Sequence, residues 1–182
     1  MNELRGFIRD LLLPLMVALS LALVIQEAVA KPYEIPTGSM IPTIQKRDRV
    51  IANRIVYRFR EPNRGDVIVF QPTTAARQSC PPVVPGVPFV KRVIGIPGDR
   101  VEVRGGETLV NGTPLDVKNA RVPGYDFPAI RVPKGRLFVL GDNRNESCDS
   151  HLWQGDSFVH RGAIIGQAEV TYWPLRSIKF LR

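Results

Sequence analysis

The hydrophobic pattern divides the chain into two unequal parts. Leu11 to Ala30 reads LLLPLMVALSLALVIQEAVA, and from Leu11 to Ile25 only Pro14 and Ser20 interrupt the apolar run. As a helix, that shorter stretch rises about 22 Å against a hydrocarbon core of about 30 Å, and counting on to Ala30 reaches the full span. Pro14 falls in the first turns, where a missing N–H costs least. After Lys31 the pattern changes. The stretches 50–57 and 66–70 are rich in β-branched and aromatic residues and read as strands. Val101-Glu102-Val103 alternates, then Gly105-Gly106, Thr108-Leu109-Val110 and Asn111-Gly112 give two hairpin signals in succession. Residues 136–140 read as a buried strand and 164–173 as a last strand, and no long stretch beyond residue 31 repeats every 3.6 residues. The expected fold class is mainly β. Residues 71–88 carry Pro72, Pro81, Pro82, Pro85 and Pro88, which predicts an exposed loop inserted between two strands. There is no solenoid repeat, so the expected organisation is residues 1–10, an apolar segment 11–30, and one domain over 31–182.

Charge sharpens this division. The chain of 182 residues has a formal net charge of +8, and residues 1–30 hold Arg5 and Arg9 against Glu3, Asp10 and Glu27, so the excess lies in the body. The Lys and Arg residues are scattered rather than grouped in a stripe, so nucleic acid is not an expected partner. A basic body behind an apolar segment fits anionic lipid head groups better. Three readings of 11–30 remain: a retained anchor, a cleaved signal peptide with Ala28-Val29-Ala30 as its Ala-x-Ala site, and a buried helix of a soluble protein. Arg5 and Arg9 precede the segment and only Lys31 follows closely, which leans towards a cytoplasmic N-terminus and an exported body. The two cysteines, Cys80 and Cys148, form no C-x-x-C pair and no Cys/His cluster, so no metal is expected. They permit one disulfide outside the cytosol, and two unrelated thiols fit equally.

The candidate chemistry centres on two residues. Ser39 sits in a short turn between Pro36 and Pro42, with Gly38 before it to allow close approach of a substrate chain. A serine hydroxyl needs a base. On a strand, Lys91 shares a face with Phe89 and Val93, where burial would disfavour the ammonium form and lower its pKa, as a lysine base requires.

Four segments, 36–43 (PTGSMIPT), 65–70 (GDVIVF), 89–99 (FVKRVIGIPGD) and 141–150 (GDNRNESCDS), stand in order behind the apolar N-terminus. Together they resemble type I signal peptidases, the membrane-bound serine proteases that remove signal peptides from exported proteins. The resemblance implies a β-barrel-like catalytic domain behind one transmembrane helix, at the cell membrane with the domain on the outer (periplasmic or lumenal) face. It implies Ser39 as nucleophile, Lys91 as base, and the Ser39 N–H and the Thr37 hydroxyl as oxyanion donors. It makes Ser147 the residue that orients the lysine and Asp149 a structural carboxylate, with Arg92 and Arg144 as candidate ion-pair partners. Substrate pockets for small side chains are expected near Ile35, Pro36 and Val90, with Trp153 at the lipid interface. Asp142 and Asn143 read as turn formers. The implied partners are signal peptides of exported preproteins and the lipid bilayer, with no cofactor.

Two departures stand out. His151 occupies a position where many members have arginine, a feature associated with the cyanobacterial and chloroplast branch, and the 153–158 connection is longer than expected. Ser39, His151 and Asp149 also have the residue types of a Ser-His-Asp triad, although the imidazole and its carboxylate normally come from separate segments. His151 and His160 are otherwise read as surface or structural. Two other functions stay open: an inactive membrane-tethered β scaffold that binds exported chains, and a Ser-Lys autoproteolytic regulator.

Overall fold

The computed structural model describes residues 8–80 and 86–181. The expected N-terminal segment 1–10 therefore lies largely outside the described residues, as do Pro81, Pro82 and Pro85. A π-helical turn, Ile8–Leu12, leads into helix α1, Leu13–Val29. The expected anchor is shorter than the apolar run, because Ala30 already pairs with Asn53 and the Val29 carbonyl accepts the Arg54 N–H at 2.8 Å. Among the described residues no helix is long and apolar enough to cross a membrane.

The body is mainly β, as expected. It comprises β1 (Ala30–Glu34), β2 (Arg49–Asn53), β3 (Val67–Phe70), β4 (Phe89–Gly95), β5 (Arg100–Arg104), β6 (Glu107–Val110), β7 (Thr113–Pro114), β8 (Phe127–Arg131), β9 (Arg136–Leu140), β10 (Val159–His160), β11 (Ile164–Trp173) and β12 (Lys179–Phe180). One sheet runs β1-β2-β11-β3-β4-β9-β10 with β12 added on β11, and a second runs β7-β6-β5-β8. The uninterrupted apolar sequence of β3 is explained by its place in the middle of the larger sheet, where all four residues are buried. The Gly105-Gly106 and Asn111-Gly112 turns both adopt positive φ at both residues, the backbone that the two hairpin signals require.

Two expectations fail for local reasons. The strand read over 50–57 ends at Asn53, whose Oδ1 accepts the N–H groups of Ile55 and Val56 at 3.1 Å each and turns the chain into helix α2, Val56–Phe59. The proline-rich stretch is not all loop. The Thr73 hydroxyl caps the Ala76 N–H at 3.1 Å and starts helix α3, Thr74–Ser79, which buries Ala75 and Ala76. The same α3 end carries Cys80 to Cys148, and the two form a disulfide with Cα atoms 5.8 Å apart.

Candidate active site

Ser39 lies in the loop between β1 and β2. The loop is closed at its base by Ile35 N–H to the Asp48 carbonyl at 2.9 Å and Arg47 N–H to the Ile35 carbonyl at 2.7 Å. Within it, Ile41 N–H bonds the Gly38 carbonyl and Ile44 N–H the Met40 carbonyl, while the Met40 and Ile44 side chains are fully buried beneath. The loop is thus a packed turn on the core rather than a free tip. Ser39 is buried, and its Oγ lies 3.3 Å from Thr37 Oγ1.

Lys91 sits in β4, opposite Ile68 of β3. It is only 4% exposed, and its Nζ stands 5.8 Å from the centroid of the Phe89 ring. Burial lowers the amine to about 8, against the opposing pull of the Asp149 and Asp142 charges. Among the described residues no hydrogen bond or ion pair reaches Nζ, so only these more distant charges oppose the effect of burial.

The segment after β9 joins the two. Gly141 N–H donates to Asp149 Oδ2 at 2.8 Å. A Cβ on Gly141 would lie 2.3 Å from the Ser39 carbonyl oxygen and 2.2 Å from Ser147 Oγ, so only glycine lets the nucleophile loop and Ser147 close over this point. Ser147 Oγ is buried with no hydrogen-bond partner among the described residues. Beside it, Asp142 takes Arg92 in two bonds, from Nε at 2.8 Å and from Nη2 at 2.6 Å, and Thr43 Oγ1 at 2.5 Å. Arg92 Nη1 also donates to the Gly65 carbonyl at 2.7 Å. One buried carboxylate therefore ties the strand that carries Lys91 to the loop that carries Ser39.

This pairing corrects the expected ion pair from Asp149 to an arginine. The register that puts Arg92 opposite Leu140 brings it to residue 142, two positions on, and not to 149. Arg144 turns to neutral acceptors, the Gly141 carbonyl at 3.1 Å and the Thr108 hydroxyl, and its burial lowers its pKa. Asp149 instead meets His151, whose Nδ1 is 2.6 Å from Oδ1 and whose ring stacks on Tyr125 with centroids 4.0 Å apart. His151 is therefore largely buried rather than a surface residue, whereas His160 is half exposed. Among the described residues no hydrogen bond links His151 to Ser39. Of the expected substrate-binding residues, Ile35 and Val90 share one apolar cluster with Met40, and Pro36 is exposed. Trp153 is 4% exposed and packs 6.2 Å from the Phe70 ring, so it belongs to the core and not to a lipid interface.

Residues 8–173 match the family described as signal peptidase, peptidase S26. The chain belongs to this family. Signal peptidase I of Leptolyngbya laminosa is 45% identical over 159 residues, covering 87% of this chain and 76% of that one. A probable signal peptidase I-1 of Synechocystis sp. is 42% identical over 169 residues, covering 92% and 84%. Thylakoidal processing peptidase 1, chloroplastic, of Arabidopsis thaliana is 36% identical over 167 residues, covering 86% of this chain and 46% of that protein. Membership in the signal peptidase family makes the chain a serine peptidase, which sets aside the inactive-scaffold alternative. It also supports signal-peptide-bearing preproteins as substrates.

Sequence reading makes Asp142 and Asn143 turn formers, whereas both are fully buried, and it passes over Thr43 and Tyr125. The signal for Asp142 was present: a charged residue two positions after the apolar run 137–140 must either leave the core or find a cation inside it. Its cation, Arg92, is 50 residues earlier, and only the strand register reveals the pairing.

Proposed function

We propose that the chain removes signal peptides from exported preproteins, with Ser39 as nucleophile and Lys91 as general base. The observation that carries this reading is Lys91: an amine buried without an ion-pair partner, brought to about 8, on a strand that the Arg92–Asp142–Thr43 contacts tie to the loop of a buried serine. A neutral amine near pH 8 can accept the Ser39 proton as Oγ attacks the scissile carbonyl, and can return a proton to the leaving amine. Among the described residues Oγ and Nζ share no hydrogen bond, and in this reading that bond forms as substrate fills the site. The developing oxyanion would be met by the Ser39 N–H and the Thr37 hydroxyl, whose oxygen lies 3.3 Å from Ser39 Oγ. Ser147, buried with an unused hydroxyl, would receive the Lys91 amine. Ile35 and Val90 would form the floor that accepts small side chains, with Pro36 at its rim.

The tether in this reading is α1 with the π-helical turn before it. Leu13, Leu15, Met16, Val17, Leu19, Leu21 and Leu23 are all exposed on it, and so continuous an apolar surface calls for a non-aqueous partner. The 17 residues of α1 rise about 25 Å, short by themselves of a core of about 30 Å, and the π-helical turn before it extends the apolar helix towards that span. The N-terminus is then cytoplasmic and the body lies on the outer, periplasmic or lumenal, face.

The test is cleavage of a precursor carrying an Ala-x-Ala site by the full chain in detergent, with the product's new N-terminus sequenced. Cleavage after that site, absent from Ser39→Ala, is expected. Undiminished cleavage by Ser39→Ala would overturn the assignment.

A further inference from the structure

One residue holds the nucleophile turn from outside. The Asn143 N–H donates to the Ser39 carbonyl at 3.0 Å, and Asn143 Nδ2 donates to the Gly38 carbonyl at 3.1 Å. Nδ2 also donates to Glu146 Oε2 at 2.8 Å. Both of its acceptors can only accept, so the amide has one workable orientation. Asn143 is fully buried, and its Oδ1 has no partner among the described residues. The side chain therefore sits where it does for its donors, not for its acceptor.

The two carbonyls it holds belong to the two peptide units that flank the Ser39 Cα. A peptide unit is planar and trans, so its C=O and the following N–H point in opposite directions. Holding the Gly38 oxygen fixes the direction of the Ser39 N–H. Holding the Ser39 oxygen fixes the next plane, and the two together set φ and ψ at Ser39. The Ser39 oxygen also lies against Gly141, where an added Cβ would stand 2.3 Å from it. A donor must stand within a few tenths of an ångström of the oxyanion to contribute fully, and this turn has no regular helix or strand of its own to hold it there.

We propose that Asn143 is the positioning residue that aims the Ser39 backbone N–H at the oxygen of the scissile carbonyl, with Glu146 locking its amide. This rests on Ser39 being the nucleophile. Asn143 takes no part in bond making. As Oγ attacks, the carbonyl π electrons move to oxygen, the proton passes to Lys91, and the Ser39 N–H is already in place to receive the charge.

The experiment uses the full chain in detergent. Asn143→Asp is nearly isosteric and replaces the donor with an acceptor. It should lower kcat by about 100-fold, the usual effect of losing one oxyanion donor, with KM within twofold. Affinity for a substrate-like peptide aldehyde, whose hemiacetal oxygen with Ser39 occupies the oxyanion position, should fall in parallel. Affinity for the non-covalent product peptide should stay. Glu146 is exposed, so Glu146→Ala leaves the core intact. It should lower kcat several-fold, and Glu146→Gln, which keeps an acceptor, should rescue it. Ser39→Ala is measured alongside: if it retains activity, the nucleophile assignment fails and this inference falls with it. If Ser39→Ala is inactive yet Asn143→Asp keeps kcat within threefold, this inference alone is overturned. It is also overturned if aldehyde and product affinities fall together while Glu146→Ala behaves as wild type.

Discussion

Lys91 and Phe89 lie on one face of β4, with the amine nitrogen 5.8 Å from the centroid of the ring. That face belongs to the apolar cluster of Ile68, Phe70, Val93 and Trp153, so the amine is held in a setting that disfavours its charge.

The pH dependence follows from this. The amine loses its proton as pH rises through about 8, so the neutral base accumulates and kcat/KM should climb with an acid limb near that value. Stability carries the same signature. The folded pKa of about 8 lies below the ordinary 10.5, so between these values the unfolded chain binds more protons and this group makes the fold more stable as pH rises. Denaturant melts at pH 8 and pH 10 should show that gain in the wild type and a smaller one in Lys91→Met. An equal gain in both would mean that Lys91 is not the titrating group.

Arg92 and Asp142 form a buried pair whose loss should be felt in the fold and the site together. Arg92→Met leaves the Asp142 carboxylate buried with Thr43 as its remaining side-chain partner and should cost about 3–5 kcal/mol. Thr43→Val removes one neutral-to-charged bond to the same carboxylate and should cost about 2 kcal/mol. Arg92→Lys should not restore stability, because an ammonium cannot reproduce the two-point contact to the carboxylate while also reaching the Gly65 carbonyl. Equilibrium denaturation checks all three.

What the sequence made legible follows a physical division. Strands β3, β6, β9 and β11 were readable because local pattern decides them: an unbroken apolar run, or alternation closed by Gly-Gly and Asn-Gly turns. Helices α2 and α3 were not, because single side chains, Asn53 and Thr73, start them by bonding nearby backbone in segments with no helical periodicity. In the site, Ser39 and Lys91 stood out through their motifs. The partner of Asp149 did not, because an arginine 57 residues before it and a histidine two after it look equally available until register sends Arg92 to Asp142. Trp153 was misplaced for the same kind of reason: nothing local says that it packs on Phe70 across the sheet.

The Cys80–Cys148 bridge fastens the end of α3 to the segment that carries Ser147 and Asp149. With its ends 68 positions apart in sequence, chain entropy alone assigns it about 4 kcal/mol. Reduction should lower Tm and also activity, since Cys148 sits between two residues of the site. Cys80→Ser with Cys148→Ser should match the reduced wild type and be insensitive to reductant. Unchanged activity in strong reductant, with free thiols confirmed by labelling, would separate the bridge from catalysis.

The most direct test of the account sets the two possible bases against each other. Lys91→Ala and His151→Ala are assayed side by side for precursor cleavage at pH 9, with folding of each checked by its thermal melt. The account predicts that Lys91→Ala loses at least about 1,000-fold in kcat, as removal of a general base does when nucleophile and base act as a unit, while His151→Ala keeps measurable turnover. An active Lys91→Ala beside an inactive, folded His151→Ala would contradict it and move the base to the imidazole that Asp149 holds.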